Sequence, residues 1–228
     1  AVHIELTPSF AVLPGSNVLV HVVADSFSEI QSLKLFVAGQ EVALDANGRA
    51  FVTAPAPGKL TLTAEATDAD GVKGSTSTQL KVRDATDKLA PVVAFAPTLD
   101  NARLHAALDL LGKVQDSNLD FWQLTIASDS SDATQLLAAG EGSIDGALTN
   151  FDPRRWLDGF YTLTLMARDI GGRTSVTSVG VEIETATKLG QYEREDVDLV
   201  VDLGGVQFAL ARQYDALSIA LDGAFGAA

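Results

Sequence analysis

The chain has 228 residues, a formal net charge of −14 and no cysteine, long enough for one large domain or two ordinary ones. The acidic balance argues against a nucleic-acid partner, which needs clustered Lys and Arg to neutralise phosphate, and against anionic membrane surfaces. The missing cysteines exclude disulfides, thiolate metal sites and cysteine nucleophiles, and no apolar run approaches the roughly 18 residues of a membrane helix.

From the start of the chain, short segments alternate apolar and polar residues with the period of two that marks a half-buried strand. The pattern predicts strands over Val2–Leu6, Val18–Ala24, Ser32–Val37, Gln40–Leu44, Ala50–Thr53, Lys59–Ala66 and Thr76–Val82, with the turn Asp45-Ala46-Asn47-Gly48 between two of them. Val and Thr, frequent in these segments, are β-branched and suit pleated sheets. Arg83–Leu89, ahead of Pro91, reads as a linker.

Past the linker the pattern recurs. Thr61–Val82, TLTAEATDADGVKGSTSTQLKV, aligns without a gap on Thr162–Ile183, TLTLMARDIGGRTSVTSVGVEI; Ala66, Asp68 and Gly71 fall on Ala167, Asp169 and Gly172. Leu62, Ala66, Leu163 and Ala167 are expected to face a core. A weaker match sets Asp25 and Ser26 on Asp116 and Ser117, Leu33 on Leu124, and Leu35 on Ile126. Its shorter offset places extra residues in the second copy, expected as a surface excursion within Ser128–Asn150. Ala133–Gly140 inside it is the one segment that reads as a short helix. A repeat at domain length means two copies of one fold. The expectation is an all-β chain: two tandem immunoglobulin-like β-sandwiches, residues 1–84 and 92–186, joined by a linker at 85–91. Residues 187–228 read as a β-hairpin segment leading into a missing domain, with Asp196–Val201 and Val206–Ala211 joined through Gly204-Gly205. The start at Ala1, without Met or leader, reads as an internal fragment or mature form.

Signatures of chemistry are sparse. The sequence has no G-x-S-x-G elbow, no H-E-x-x-H and no G-x-x-x-x-G-K phosphate loop. His3, His21 and His105 are isolated and read as structural or surface residues. Asp68-Ala69-Asp70-Gly71 opens like an oxygen-ligand loop without its further ligands. If calcium bound, it would draw on Asp68, Asp70, Asp84, Asp87 or Asp116, with Asp25 and Asp100 also near domain ends. The expectation is no catalytic residue, no cofactor and folding that needs no metal. Trp122, following Phe121, is expected in the core, and Trp156 beneath it.

The second half carries a family resemblance. Asn150-Phe151-Asp152-Pro153-Arg154-Arg155-Trp156-Leu157-Asp158-Gly159-Phe160-Tyr161-Thr162-Leu163 resembles the F-D-P-x-x-L-x-x-G-x-Y-T-L pattern of the Ig-like domains that precede the repeats of bacterial Rhs (YD-repeat) proteins. Val114-Gln115-Asp116-Ser117-Asn118-Leu119 is similar to their V-x-D-x-N-L loop. Lys188-Leu189-Gly190-Gln191-Tyr192, then Val206–Asp215, resembles the stretch through which that chain enters its shell, with Gln191-Tyr192 where the family has Asn-Phe. The likeness runs from about Pro91 onward. It implies a non-enzymatic, rigid spacer of a large secreted or cell-surface protein, extracellular or exported within a toxin-like assembly. Its partners would be the remainder of that protein or neighbouring subunits. The alternative is an adhesion module that binds a glycan or a surface protein through loops such as Ser128–Asn150.

Overall fold

The structure is a computed structural model that describes residues 1–130, 133–186, 188, 192–202 and 207–215. β1 (Val2–Thr7), β2 (Asn17–Ala24), β3 (Ile30–Val37), β4 (Gln40–Val42), β5 (Arg49–Thr53), β6 (Gly58–Asp68) and β7 (Lys73–Val82) form the first sandwich. Sheet β1-β2-β5 faces sheet β4-β3-β6-β7, every neighbour antiparallel. All seven expected strands are present. The turn at Asp45 closes as its residues require: the Asp45 carboxylate accepts from the N–H groups of Asn47 and Arg49, and Gly48 takes a φ of 71°.

The second sandwich follows the same plan. β8 (Val92–Phe95), β9 (Ala102–Leu104), β10 (Leu108–Gln115), β11 (Leu119–Ser128), β12 (Thr134–Gly140), β13 (Ile144–Phe151), β14 (Gly159–Asp169) and β15 (Thr174–Ile183) pair as β13-β10-β8 against β12-β11-β14-β15-β9. β9 runs parallel to β15 and extends that sheet. Each sandwich encloses its own core. Alternation decides which side chains fill it: Val18, Val20 and Val22 from β2, Leu62, Ala64 and Ala66 from β6, and Leu163, Leu165 and Ala167 from β14 are all buried. Burying one leucine contributes about 1.5–3 kcal/mol, so these inward rows drive the pairing. The chain is all-β, with two tandem immunoglobulin-like sandwiches.

The repeated hairpin is preserved in atomic detail. Asp68 accepts from the N–H of Val72 through its side chain, and Asp169 does the same with Arg173. Gly71 and Gly172 occupy positive φ at matching turn positions. Thr63 bonds Ser77 across β6 and β7, and Thr164 bonds Ser178 across β14 and β15, each at 2.9 Å.

Three expectations need correction. Ala133–Gly140 is no helix; Thr134–Gly140 is edge strand β12, paired with β11. Its Gln-Leu-Leu-Ala-Ala run favours helix locally, but an open sheet edge beside it offers a full ladder, and tertiary pairing overrides propensity. Ser128–Asn150 is therefore mostly β12 and β13, not a loop excursion. β12 has seven residues where β4 has three, and β13 eight where β5 has five. The early repeat is also out of register. Leu35 pairs with Ala64 and Leu124 with Leu165, equivalent positions of β6 and β14. Leu35 thus corresponds to Leu124, and Leu33 to Trp122. The loop before β11 is shorter than that before β3 by one pleat, and a two-residue slip leaves every side chain on its own face, invisible to alternation.

Beyond the sandwiches, β16 (Glu193–Asp202) and β17 (Gln207–Asp215) form an antiparallel ribbon with a bulge between Val197 and Leu199. The glycines expected at its turn lie outside the described residues.

Candidate functional site at the junction of the sandwiches

The histidines sit apart from any assembled chemistry. His3 and His21 lie on the outer face of the β1–β2 pair, where His21 Nδ1 meets the Glu5 carboxylate at 3.2 Å. His105 contacts the Glu184 carbonyl at 2.7 Å. Trp122 is buried, its indole N–H donating to the Gly142 carbonyl at 3.1 Å. Trp156 packs between Phe151, tilted at 33°, and Tyr161, edge-on at 83°, and the Tyr161 hydroxyl donates to the Leu157 carbonyl four residues upstream at 3.0 Å. Both tryptophans are packing residues.

Charge gathers where the sandwiches meet. Asp120, at the start of β11, has a side chain only 10% exposed. Lys81 on β7 places Nζ 2.8 Å from both its carboxylate oxygens, and Lys59 on β6 stands 3.6 Å away while donating to the Asp120 carbonyl. Lys59 also pairs with Glu141 at 3.0 Å, and Gln79 donates to the same carboxylate at 3.1 Å. Those two hydrogen bonds and the lysine charge hold the Glu141 carboxyl below the usual carboxylate range. The Asp84 N–H donates to Asn118 Oδ1 at 3.0 Å. Buried charge of this kind is orienting: breaking one partner of such a pair leaves the other uncompensated.

A second cluster lies beside the first. Asp87 from the linker, Asp116 from the β10–β11 loop and Asp169 from the end of β14 each bring one carboxylate oxygen within 4.8 Å of the others. Arg173 binds Asp169 through Nε at 2.7 Å and donates to the Asp87 carbonyl at 2.7 Å. Its NH2 stands 3.1 Å from Asp87 Oδ2, yet that buried oxygen accepts no hydrogen bond, so the contact is electrostatic and its lone pairs stay open. Burial pushes the Asp116 carboxyl above the usual carboxylate range; the negative charges of Asp87 and Asp169 add to this, against the Asn118 N–H and Arg173.

Of the carboxylates singled out in the sequence, Asp87 and Asp116 meet here. Asp68 and Asp70 lie at the other turn, where Ser26 and Ser28 hydroxyls bind them. Asp84 caps a local turn through the N–H and hydroxyl of Thr86. Asp25 is met at its backbone by the Ala1 ammonium, and Asp100 accepts from Asn101. Sequence reasoning missed Asp169, Asp120, Lys59, Lys81 and Arg173. For Asp169 a signal existed: it repeats Asp68, but with an arginine four residues on in place of Val72.

No protein-family model matches the chain, and no curated protein matches it. Solved structures do. Fibronectin(III)-like modules of CbhA from Clostridium thermocellum share 17% identity over 82% of this chain and 95% of theirs, with a TM-score of 0.34. A tetra-tandem repeat from the extending region of a large adhesion protein shares 18% over 94% of this chain and 64% of its own, at 0.32. SGBP-B from the mixed-linkage glucan utilization locus of Bacteroides ovatus, solved with a mixed-linkage heptasaccharide, shares 14% over 88% and 72%, at 0.29. No helix among the described residues is long and apolar enough to cross a membrane. The fold assignment rests on this chain's own strand order: two sandwiches joined through a charged junction.

Proposed function

We propose that the chain is a non-enzymatic structural module, a rigid two-sandwich spacer of a large secreted or surface protein of Rhs type. The observation that carries this reading is the junction. Asp120 is buried between two lysines of the preceding sandwich, so the two domains are fixed by charges that have few alternative partners. The β16–β17 ribbon supports the same reading. Val197, Leu199, Val200, Phe208 and Leu210 are exposed on it, and a two-stranded ribbon needs further cover to be stable in water. It fits the opening of a further domain.

The adhesion reading receives less support. The polar groove on the outer face of β3, β6 and β7 is bordered by Ser32, Lys34, Glu65, Thr67 and Lys73 and carries no aromatic platform. Small-angle scattering and a glycan array test the two together. The spacer reading expects one conformer to fit the wild-type curve, a broadened ensemble for Asp120→Ala, and no selective glycan. Selective binding of one glycan class, or identical curves for wild type and variant, overturns it. Tyrosine–aspartate repeats in the full reading frame would establish the Rhs assignment, and their absence would remove it.

A further inference from the structure

We propose that Asp87, Asp116 and Asp169 bind a hard divalent cation, calcium, which ties the interdomain linker to the second sandwich. The distances fit a shared ion. Oxygens bound to one calcium at about 2.3–2.6 Å lie at most about 5.2 Å apart, and these three lie within 4.8 Å. The donor set is all oxygen, which favours calcium over zinc or copper. Charge fits as well. Three carboxylates face the single guanidinium of Arg173, leaving two negative charges, the complement of a divalent ion.

An independent observation points into the cluster. The Asp87 side chain is 8% exposed, and its Oδ2 accepts no hydrogen bond. A buried carboxylate oxygen without a donor is costly unless something positive meets it. The Asp87 Oδ1 takes the Leu89 N–H, and Arg173 meets Oδ2 only through NH2 at 3.1 Å without a hydrogen bond, its Nε given to Asp169 and its NH1 to a carbonyl. The other copy of the turn provides the contrast. Asp68, equivalent to Asp169, takes the Ser26 hydroxyl and the N–H groups of Asp70 and Val72, and among the described residues it belongs to no cluster of three carboxylates. The cluster forms where the linker between the sandwiches crosses the turn of the second copy. Occupancy would join linker, β10–β11 loop and β14, whose three carboxylates Arg173 neutralises only in part.

The inference rests on the spacer reading only for its purpose, not for its existence. The test is calorimetric titration of calcium chloride into the chelator-treated full chain, with magnesium as comparator, and thermal melts followed by tryptophan emission. The expected result is one calcium site per chain. The melting temperature should rise by about 5 °C at ten times the Kd and saturate. Asp87→Asn and Asp116→Asn should each weaken binding at least tenfold, and Asp68→Asn should not. Asp116 lies on the β10–β11 loop, a segment separate from the linker that carries Asp87, so its variant keeps the test valid if Asp87→Asn fails to fold. Absence of heat with superimposed melts up to about 10 mM calcium overturns the site, as does binding that survives both variants. Scattering on the same samples separates the two readings. Calcium binding with an unchanged broad ensemble leaves the site standing and removes the spacer; a single conformer with no calcium binding does the reverse.

Discussion

Leu163→Ala probes the second core at its centre. Leu163 is fully buried on β14, opposite Ile126 of β11 and Val179 of β15. Strands hydrogen-bonded on both sides cannot close over the space, so the truncation should cost about 2–5 kcal/mol, transfer plus cavity. In a domain of this size 1 kcal/mol moves the melting temperature by about 4–8 °C, so a loss of about 10 °C or more is expected. The assay is selective by composition. The chain has two tryptophans, Trp122 and Trp156, and both pack in the second sandwich. Tryptophan emission in a urea titration therefore reports that domain, and circular dichroism reports both. The emission midpoint should fall, with an unshifted transition remaining in the dichroism. A loss below about 0.5 kcal/mol, the level of an ordinary surface change, would refute the face assignment. A single transition shifted in both signals would refute separate cores.

Leu62→Ala, the repeat equivalent, should destabilise the first sandwich by a similar amount and leave the tryptophan midpoint in place. Gly140→Ala would set a Cβ 2.7 Å from the Trp122 ring, so it should cost about 1–3 kcal/mol and shift the emission maximum. Tyr161→Phe removes the bond to the Leu157 carbonyl and should cost about 0.5–1.5 kcal/mol by urea titration. The Asp68 carboxyl is held below the usual range by the Ser26 hydroxyl and then the Val72 N–H. A depressed folded pKa gives stability that is present above about pH 4 and lost as pH falls through the folded value. Ser26→Ala should therefore flatten the acid side of the first sandwich's stability curve; an unchanged slope would contradict that role.

Much of the fold was legible because sheets write their faces into period-two patterns. The repeat showed two copies, and Leu62, Ala66, Leu163 and Ala167 lie in the cores as read. Legibility failed where the pattern carries no information. A two-residue slip preserves facing, so Leu124 was matched to the wrong strand position. The Gln135–Ala139 run favours helix on its own, and only the edge of β11 decides it. The junction was less legible still. Asp120, Lys59 and Lys81 are distant in sequence and each looks like an ordinary surface charge. Asp87 and Asp116 drew notice for lying near domain ends, whereas Asp169 was hidden inside a turn whose other copy is satisfied by serine.

The central claim, that the charged junction fixes one sandwich against the other, is tested most directly by a distance between them. The absence of native cysteine permits single spin labels at Asn47→Cys and Gln135→Cys, both exposed positions on different sandwiches. Pulsed electron resonance should give one narrow distance distribution for this pair, broadened when Asp120→Ala is added. A broad distribution in the chain with Asp120 intact would contradict the account.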